Sequence, residues 1–231
     1  MDPGRRPVGQ FKVDTSHPLA KNLYCAYVFN EKRAADLVQH AVPEVVGYSA
    51  NTSSLGPTLA TSSSSAHRFD TGLSPKWLGR TMSMFITCKH TGTTGSLICQ
   101  RDGSSKIAWQ LYQGASNLLS FRTSVAQSLH VNSISSGWNS YGITVDFGNG
   151  TCRGHINGDL MNPGAITGIP APYDSEPVNL SIGHRWAVYP TAGYPYTGDF
   201  AHAFVWEDRM LTDDEQKEFY KDPYQILIPV A

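Results

Sequence analysis

A glycosidic bond is cleaved by two carboxyl groups set across it, about 5–5.5 Å apart when configuration is retained. Where both acids sit on one strand they fall at i and i+2, because alternate residues share a face. No strand-like run of this chain carries such a pair. Its nearest acids, Glu207–Asp208 and Asp213–Asp214–Glu215, stand in a turn and at the start of a short helix, where capping and solvation account for them. The G-x-S-x-G elbow of serine hydrolases is absent, as are the Walker A and G-x-G-x-x-G phosphate loops. Eight histidines are scattered without an H-x-H or H-x-x-x-H pair. His130, His155 and His202 fall in strand-like runs and read as packed or surface side chains. The expectation is a protein that is not an enzyme.

Binding has a better candidate. "HRWAVYPTAGYPYTG" (184–198) places Trp186, Tyr189, Tyr194 and Tyr196 on a loop stiffened by Pro190, Gly193 and Pro195. Aromatic faces held on a stiff loop suit sugar stacking or a protein contact, and His184 and Arg185 would add hydrogen bonds. The competing reading is that the loop folds back and its aromatics close an open end of the core. In "IAWQLY", Trp109 and Tyr112 lie on opposite faces of a strand, so at most one points outward.

Composition narrows the field. The 231 residues carry only 16% charged side chains and a net charge of −1, which leaves no basic footprint for nucleic acid. Cys25, Cys88, Cys99 and Cys152 are widely spaced without C-x-x-C and read as free, buried thiols rather than zinc ligands. The first residues hold no apolar run of signal-peptide length, and nothing approaches the ~18 apolar residues of a membrane span. The expectation is synthesis in a reducing cytoplasm, without membrane insertion.

The elements that would position a site are strands. Residues 1–16 read as a polar arm, and 17–231 as one domain. Strand candidates are 22–30, 81–89, 95–101, 106–112, 117–123, 127–132, 138–147, 151–158, 177–184 and 198–206, separated by Gly, Asn and Ser. In 141–147, Tyr141, Ile143, Val145 and Phe147 share one face, and Gly142, Thr144 and Asp146 the other, as in a half-buried strand. "DFGNGT" (146–151) then supplies a hairpin turn. Residues 47–66, rich in Ser and Thr, read as an irregular surface excursion. Ten short strands so punctuated argue for a sandwich or barrel.

One helix breaks the pattern. Thr212 and Glu215 have the capping-box spacing, Asp213 and Asp214 suit the positive end of the helix dipole, and Pro223 stops it. Leu211 and Phe219 are its apolar anchors. At two to three turns it must dock on the domain to be stable.

The order of these elements resembles the concanavalin A-like lectin/glucanase superfamily, in its laminin-G-like and pentraxin-like branch. "HRFDTG" (67–72), "SGWNSYGITVDFGNGTCRGHINGDL" (136–160), "NLSIGHR" (179–185) and "YTGDFAHAFVWEDRMLTDDEQKEFYKDP" (196–223) carry the likeness, over about residues 19–224. It implies an all-β, two-sheet antiparallel jelly-roll sandwich with one short C-terminal helix, in which the strand near 23–29 pairs with the one near 199–206. It also raises calcium at the sandwich rim. Asp70 and Asp199 are the acids for it, with Asp146 and Asn30 or Glu31 beside them; Asp36 stands where relatives continue into a Gly that this chain lacks.

The tail "PYQILIPVA" resembles endings of laminin-G-like proteins of tailed bacteriophages. The leading expectation is therefore a non-enzymatic structural or interaction protein of a bacteriophage virion, a capsid decoration or a tail or fibre component. Capsid or tail subunits and cell-surface glycans would be its partners. The alternative is a carbohydrate-binding lectin module, and the third reading an atypical glycoside hydrolase. A closed homo-oligomer fits any of them. No cofactor beyond calcium is expected.

Overall fold

The computed structural model describes residues 10–29, 36–40, 43–46, 49–53, 56–61, 68–90, 94–101, 107–114, 119–123, 129–131, 135–172, 178–188, 191–193 and 196–230. In chain order its strands are β1 (Phe11–Val13), β2 (Leu23–Val28), β3 (Glu44–Val46), β4 (Ser49–Ser53), β5 (Gly56–Thr61), β6 (Arg68–Asp70), β7 (Thr81–His90), β8 (Gly95–Arg101), β9 (Ile107–Gln113) and β10 (Leu119–Arg122). There follow β11 (Leu129–Val131), β12 (Gly137–Asp146), β13 (Thr151–Ile156), β14 (Asp159–Thr167), β15 (Leu180–Ile182), β16 (Arg185–Val188), β17 (Thr191–Gly193), β18 (Gly198–Glu207) and β19 (Leu227–Pro229). Helix α1 (Asp213–Lys221) stands between the last two strands.

Two antiparallel sheets form the sandwich. One runs β11–β10–β9–β8–β15–β6–β3, the other β14–β13–β12–β7–β18–β5–β4, with β2 also paired to β18. The β2–β18 pair matches His202 with Val28 and Ala203 with Tyr27, as the resemblance implied. Between the sheets, Phe69, Ile182, Ile98, Leu111 and Phe121 line up as register partners across the first. They pack with Tyr27, Met84, Ile86, Tyr141, Ile143, Val145 and Phe200 of the second. This is the period-2 face of each strand, buried as a continuous apolar layer.

The eight-stranded sheet has a second apolar layer on its outer side. Ala26, Val28, Phe85, Phe204 and Trp206 are covered there by Leu19, Leu211, Phe219, Tyr224 and Ile226. Phe219 of α1 makes edge-on ring contacts with Phe85, Phe204 and Trp206, at centroid distances of 5.0, 4.9 and 5.1 Å. The helix starts as its sequence dictates. Thr212 N–H donates to Glu215 Oε2 (2.8 Å), and Glu215 N–H donates to Thr212 Oγ1 (3.2 Å).

Three readings of the sequence are corrected. Within the 47–66 excursion, β4 and β5 form a hairpin, and β5 extends the sheet by pairing with β18. Backbone pairing along a sheet needs no apolar alternation, which is why a Ser/Thr-rich run hid it. The arm drawn at 1–16 belongs to the domain from Gln10 on, because β1 pairs with β19 and Gln10 O accepts from Val230 N–H (3.0 Å). Strand β12 is buried on both faces rather than one: Gly142, expected outside, lies under Gln216 of α1, and Thr144 on the same face is buried.

Candidate functional site

Because side chains of directly opposed residues share a face, the register that aligns the apolar row also aligns its opposite. Glu44, Asp70, Ser181, Cys99, Gln110 and Arg122 are successive register partners across β3, β6, β15, β8, β9 and β10. At about 4.8 Å per strand, this polar row spans roughly 24 Å on the outer face of the seven-stranded sheet. A second row matches Ser96, Tyr112 and Ser120. The two outer faces of the sandwich thus differ: one is sealed by an apolar layer, the other is lined by hydrogen-bonding side chains.

The middle of the polar face is closed. Ser96, Cys99, Gln110, Ser120 and Ser181 are buried. After Ile182 the chain turns at Gly183, whose φ of +76° suits glycine, and its N–H donates to Leu97 O (2.8 Å). The His184 carbonyl then lies over the face, 3.0 Å from Ser181 Oγ and 3.3 Å from Cys99 Sγ. The β16–β17 hairpin follows and runs beside β8.

On β9 and β10, next to the β11 edge, Tyr112 and Arg122 are half-buried while Gln110 and Ser120 between them are buried. Arg122 donates from Nε and Nη2 to Gln110 Oε1 (3.0 and 2.9 Å), and Gln110 in turn donates from Nε2 to Ser96 Oγ. The guanidinium carbon sits 4.3 Å from the centroid of the Tyr112 ring. Cation–π attraction and the amide together hold the fork in one orientation. Tyr112 is the outward aromatic of "IAWQLY", and Trp109 is buried in the core, in keeping with their opposite faces.

The residues singled out in 184–198 separate. Arg185 and Trp186 are in β16, paired through the backbone with Gly193 and Ala192. Tyr189 and Tyr194 lie outside the described residues. His184 and Tyr196, expected at the surface, are interior. His184 Nδ1 accepts from Phe69 N–H (3.1 Å), and Tyr196 Oη donates to Lys89 O (2.8 Å) while its ring packs on Phe200 at 5.3 Å. A large ring beside an apolar strand gains more by closing the core than by facing water. For these two residues the fold-back reading holds.

The calcium candidates also disperse. Asp70 accepts from Gly72 N–H (2.8 Å) and Asn179 Nδ2 (3.1 Å), and Asp199 is buried in β18 of the other sheet. Asp146 caps its turn through Asn149, with N–H at 2.9 Å and Nδ2 at 2.6 Å. Asp36 accepts three backbone N–H groups, from Ala26, Val38 and Gln39. Its burial still pushes the carboxyl above its ordinary range. Asn30 and Glu31 lie outside the described residues. Among the described residues, no three His, Cys, Asp or Glu side chains gather as metal ligands.

The other chemistry-bearing groups serve the fold. His155 Nε2 donates to Asp213 Oδ1 (3.0 Å) and Arg153 pairs with Asp213 Oδ2 (2.6 Å), tying α1 to β13. His202 is buried, with its ring stacked on Phe85 at 5.8 Å; the His130 side chain is outside the description. All four cysteines are free and buried, and burial raises the Cys88 thiol to about 12. The sequence reading missed Gln110 and Arg122. Their strand parity was legible, but their register was not.

No protein-family model and no curated protein matches the chain. Solved structures do. The CBM40 of the Ruminococcus gnavus IT-sialidase, bound to alpha2,3 sialyllactose, is 18% identical, and the match covers 71% of this chain and 96% of that one (TM-score 0.57). Domain 4 of AbnA, a GH43 extracellular arabinanase from Geobacillus stearothermophilus in complex with arabinotriose, is 14% identical over 86% and 98% (TM-score 0.63). The binding domain of Paraclostridial Mosquitocidal Protein 1 is 14% identical over 90% of this chain and 53% of that one (TM-score 0.61). The fold is a concanavalin A-like sandwich. At these identities the likeness extends to the fold and no further.

Proposed function

We propose that this chain is a non-catalytic carbohydrate-binding module, and that sugars meet it at the half-buried Tyr112 and Arg122 on β9 and β10 of the polar sheet face. The observation that carries the reading is the Tyr112–Arg122–Gln110 group. The partly exposed Tyr112 ring carries a guanidinium fixed over one of its faces, and that guanidinium offers the fork of donors that sugar oxygens accept from. The opposite face is covered by an apolar layer that includes Phe219 and Leu211. Two of the sandwiches similar to this one were solved with an oligosaccharide bound, which supports the same reading. The acids nearest to a carboxylate pair are engaged elsewhere: Glu215 in the capping box and Asp213 with Arg153 and His155. The virion role expected from the sequence draws no support from these neighbours, so the lectin-like alternative takes its place.

An oligosaccharide array followed by calorimetry tests the proposal. Binding of one glycan class by the full chain is expected, with Tyr112→Ala weakening it about tenfold or more, the loss of roughly 1.4 kcal/mol or above. No reducing sugar should be released. A folded protein that binds nothing across the array overturns the reading.

A further inference from the structure

Four arginine side chains are described, and three of them meet carboxylates. Arg80 pairs with Asp208 and Glu207, Arg153 with Asp213, and Arg209 with Glu215. Arg122 differs. It is held by the Oε1 of Gln110, itself only 1% exposed, and by the Tyr112 ring, and no carboxylate among the described residues pairs with it. Asp70 and Glu44 share its row, but four and five strands away. At about 4.8 Å per strand, that is roughly 19 Å or more, well beyond a Debye length of about 8 Å at physiological salt. The cation is therefore neither neutralised from within its row nor free to swing away.

From this arrangement we infer that the site reads a carboxylate on an acidic sugar, a uronate or a sialate, with Arg122 as the specificity-determining residue. The inference rests on the carbohydrate-binding reading and names the ligand class for that site. The chemistry follows from the partners. Gln110 Oε1 takes the N–H bonds at Nε and one at Nη2, which among the described residues leaves Nη1 and the outer N–H of Nη2 as a parallel pair of donors. A planar carboxylate accepts such a pair bidentately, and a neutral hydroxyl cannot. The Tyr112 ring beneath the guanidinium limits its motion, so little rotamer entropy is lost on binding.

Matched probes test the inference on the full chain: tri-galacturonate against its methyl ester, 3′-sialyllactose against lactose, and 3′-sulfolactose as a sulfate control. At least one free acid should bind about tenfold or more tightly than its neutral partner, and that ratio should fall as salt is raised. Arg122→Gln should bring the ratio close to one. Arg122→Lys, which keeps the charge without the fork, should keep only part of it. Melting temperatures confirm that each variant is folded. Equal binding of acid and neutral forms, or a preference that survives Arg122→Gln, overturns the carboxylate assignment and leaves the carbohydrate reading standing. Where 3′-sialyllactose binds, equal or tighter binding of 3′-sulfolactose also overturns it, in favour of a general anion site. Loss of every sugar in the set and across the array removes both.

Discussion

Gln216 of α1 lies directly on Gly142 of β12: a Cβ at Gly142 would stand 2.2 Å from Gln216 Oε1 and 2.7 Å from its Cδ. The glutamine is fully buried, so its side chain has no solvent to retreat into. The missing Cβ is what lets the helix seat on the sheet. Gly142→Ala is expected to destabilise the domain by about 1–3 kcal/mol, the range for overpacking a filled interior. Gln216→Ala should remove the clash, so the double variant should be more stable than the sum of the single losses predicts, by roughly 0.5 kcal/mol or more. Denaturant titrations of the four proteins give the coupling; strict additivity would mean that the two residues do not share this space.

The helix start gives a second expectation. Thr212→Ala should cost about 0.5–2 kcal/mol. Glu215 adds a pH signature. Burial works to raise its pKa, but the Thr212 N–H and the Arg209 guanidinium outweigh it and hold the carboxyl below its ordinary range. A folded pKa below the unfolded one stabilises above the unfolded value, near about 4.3, and the contribution is lost as pH falls through the folded value. Wild type should therefore lose stability relative to Glu215→Gln on acidification below about pH 4.3. Melting curves that fall in parallel would remove the carboxylate from the capping box.

His155 acts in a higher window. Burial disfavours its charged form and lowers its pKa, against the pull of Asp213 at 3.0 Å and with the push of Arg153. The unfolded chain then binds the proton first, so the contribution of His155 is full above about pH 6.5 and declines as pH falls below it. His155→Gln keeps a donor for Asp213 without titrating. Urea midpoints for wild type and variant should converge between about pH 7 and 5, where histidines titrate. A constant gap over that range would mean that His155 is as easily protonated folded as unfolded.

What the chain declared in advance follows from local physics. The alternation through Tyr141, Ile143, Val145 and Phe147 and the three-residue step from Thr212 to Glu215 are nearest-neighbour patterns, and both were legible. The polar row was not, because it depends on register between residues far apart in the chain. Gln110 and Arg122 are twelve residues apart, and Asp70 and Ser181 over a hundred, yet each pair is directly opposed. Gly142 read as outward by parity, which was right, but parity does not say what then covers a face. His184 and Tyr196 shared the composition of a binding loop with Trp186. Only the turn at Gly183 and the return into β18 decide which of these side chains go inside.

Tyr196 makes that division measurable. Its hydroxyl is used within the fold, donating to Lys89 O at 2.8 Å, and its ring fills the space beside Phe200 and over Gly198. Tyr196→Phe should cost about 0.5–1.5 kcal/mol for one hydrogen bond, plus the penalty of any acceptor left unmade. Tyr196→Ala should cost about 3–5 kcal/mol, as for other large buried rings. Neither loss is a binding effect: at temperatures where Tyr196→Phe stays folded, its affinity for whichever sugar the wild type binds should equal that of the wild type. Calorimetry on the two proteins at matched folded fraction decides it. A phenylalanine variant of unchanged stability that binds the sugar more weakly would return Tyr196 to the recognition surface.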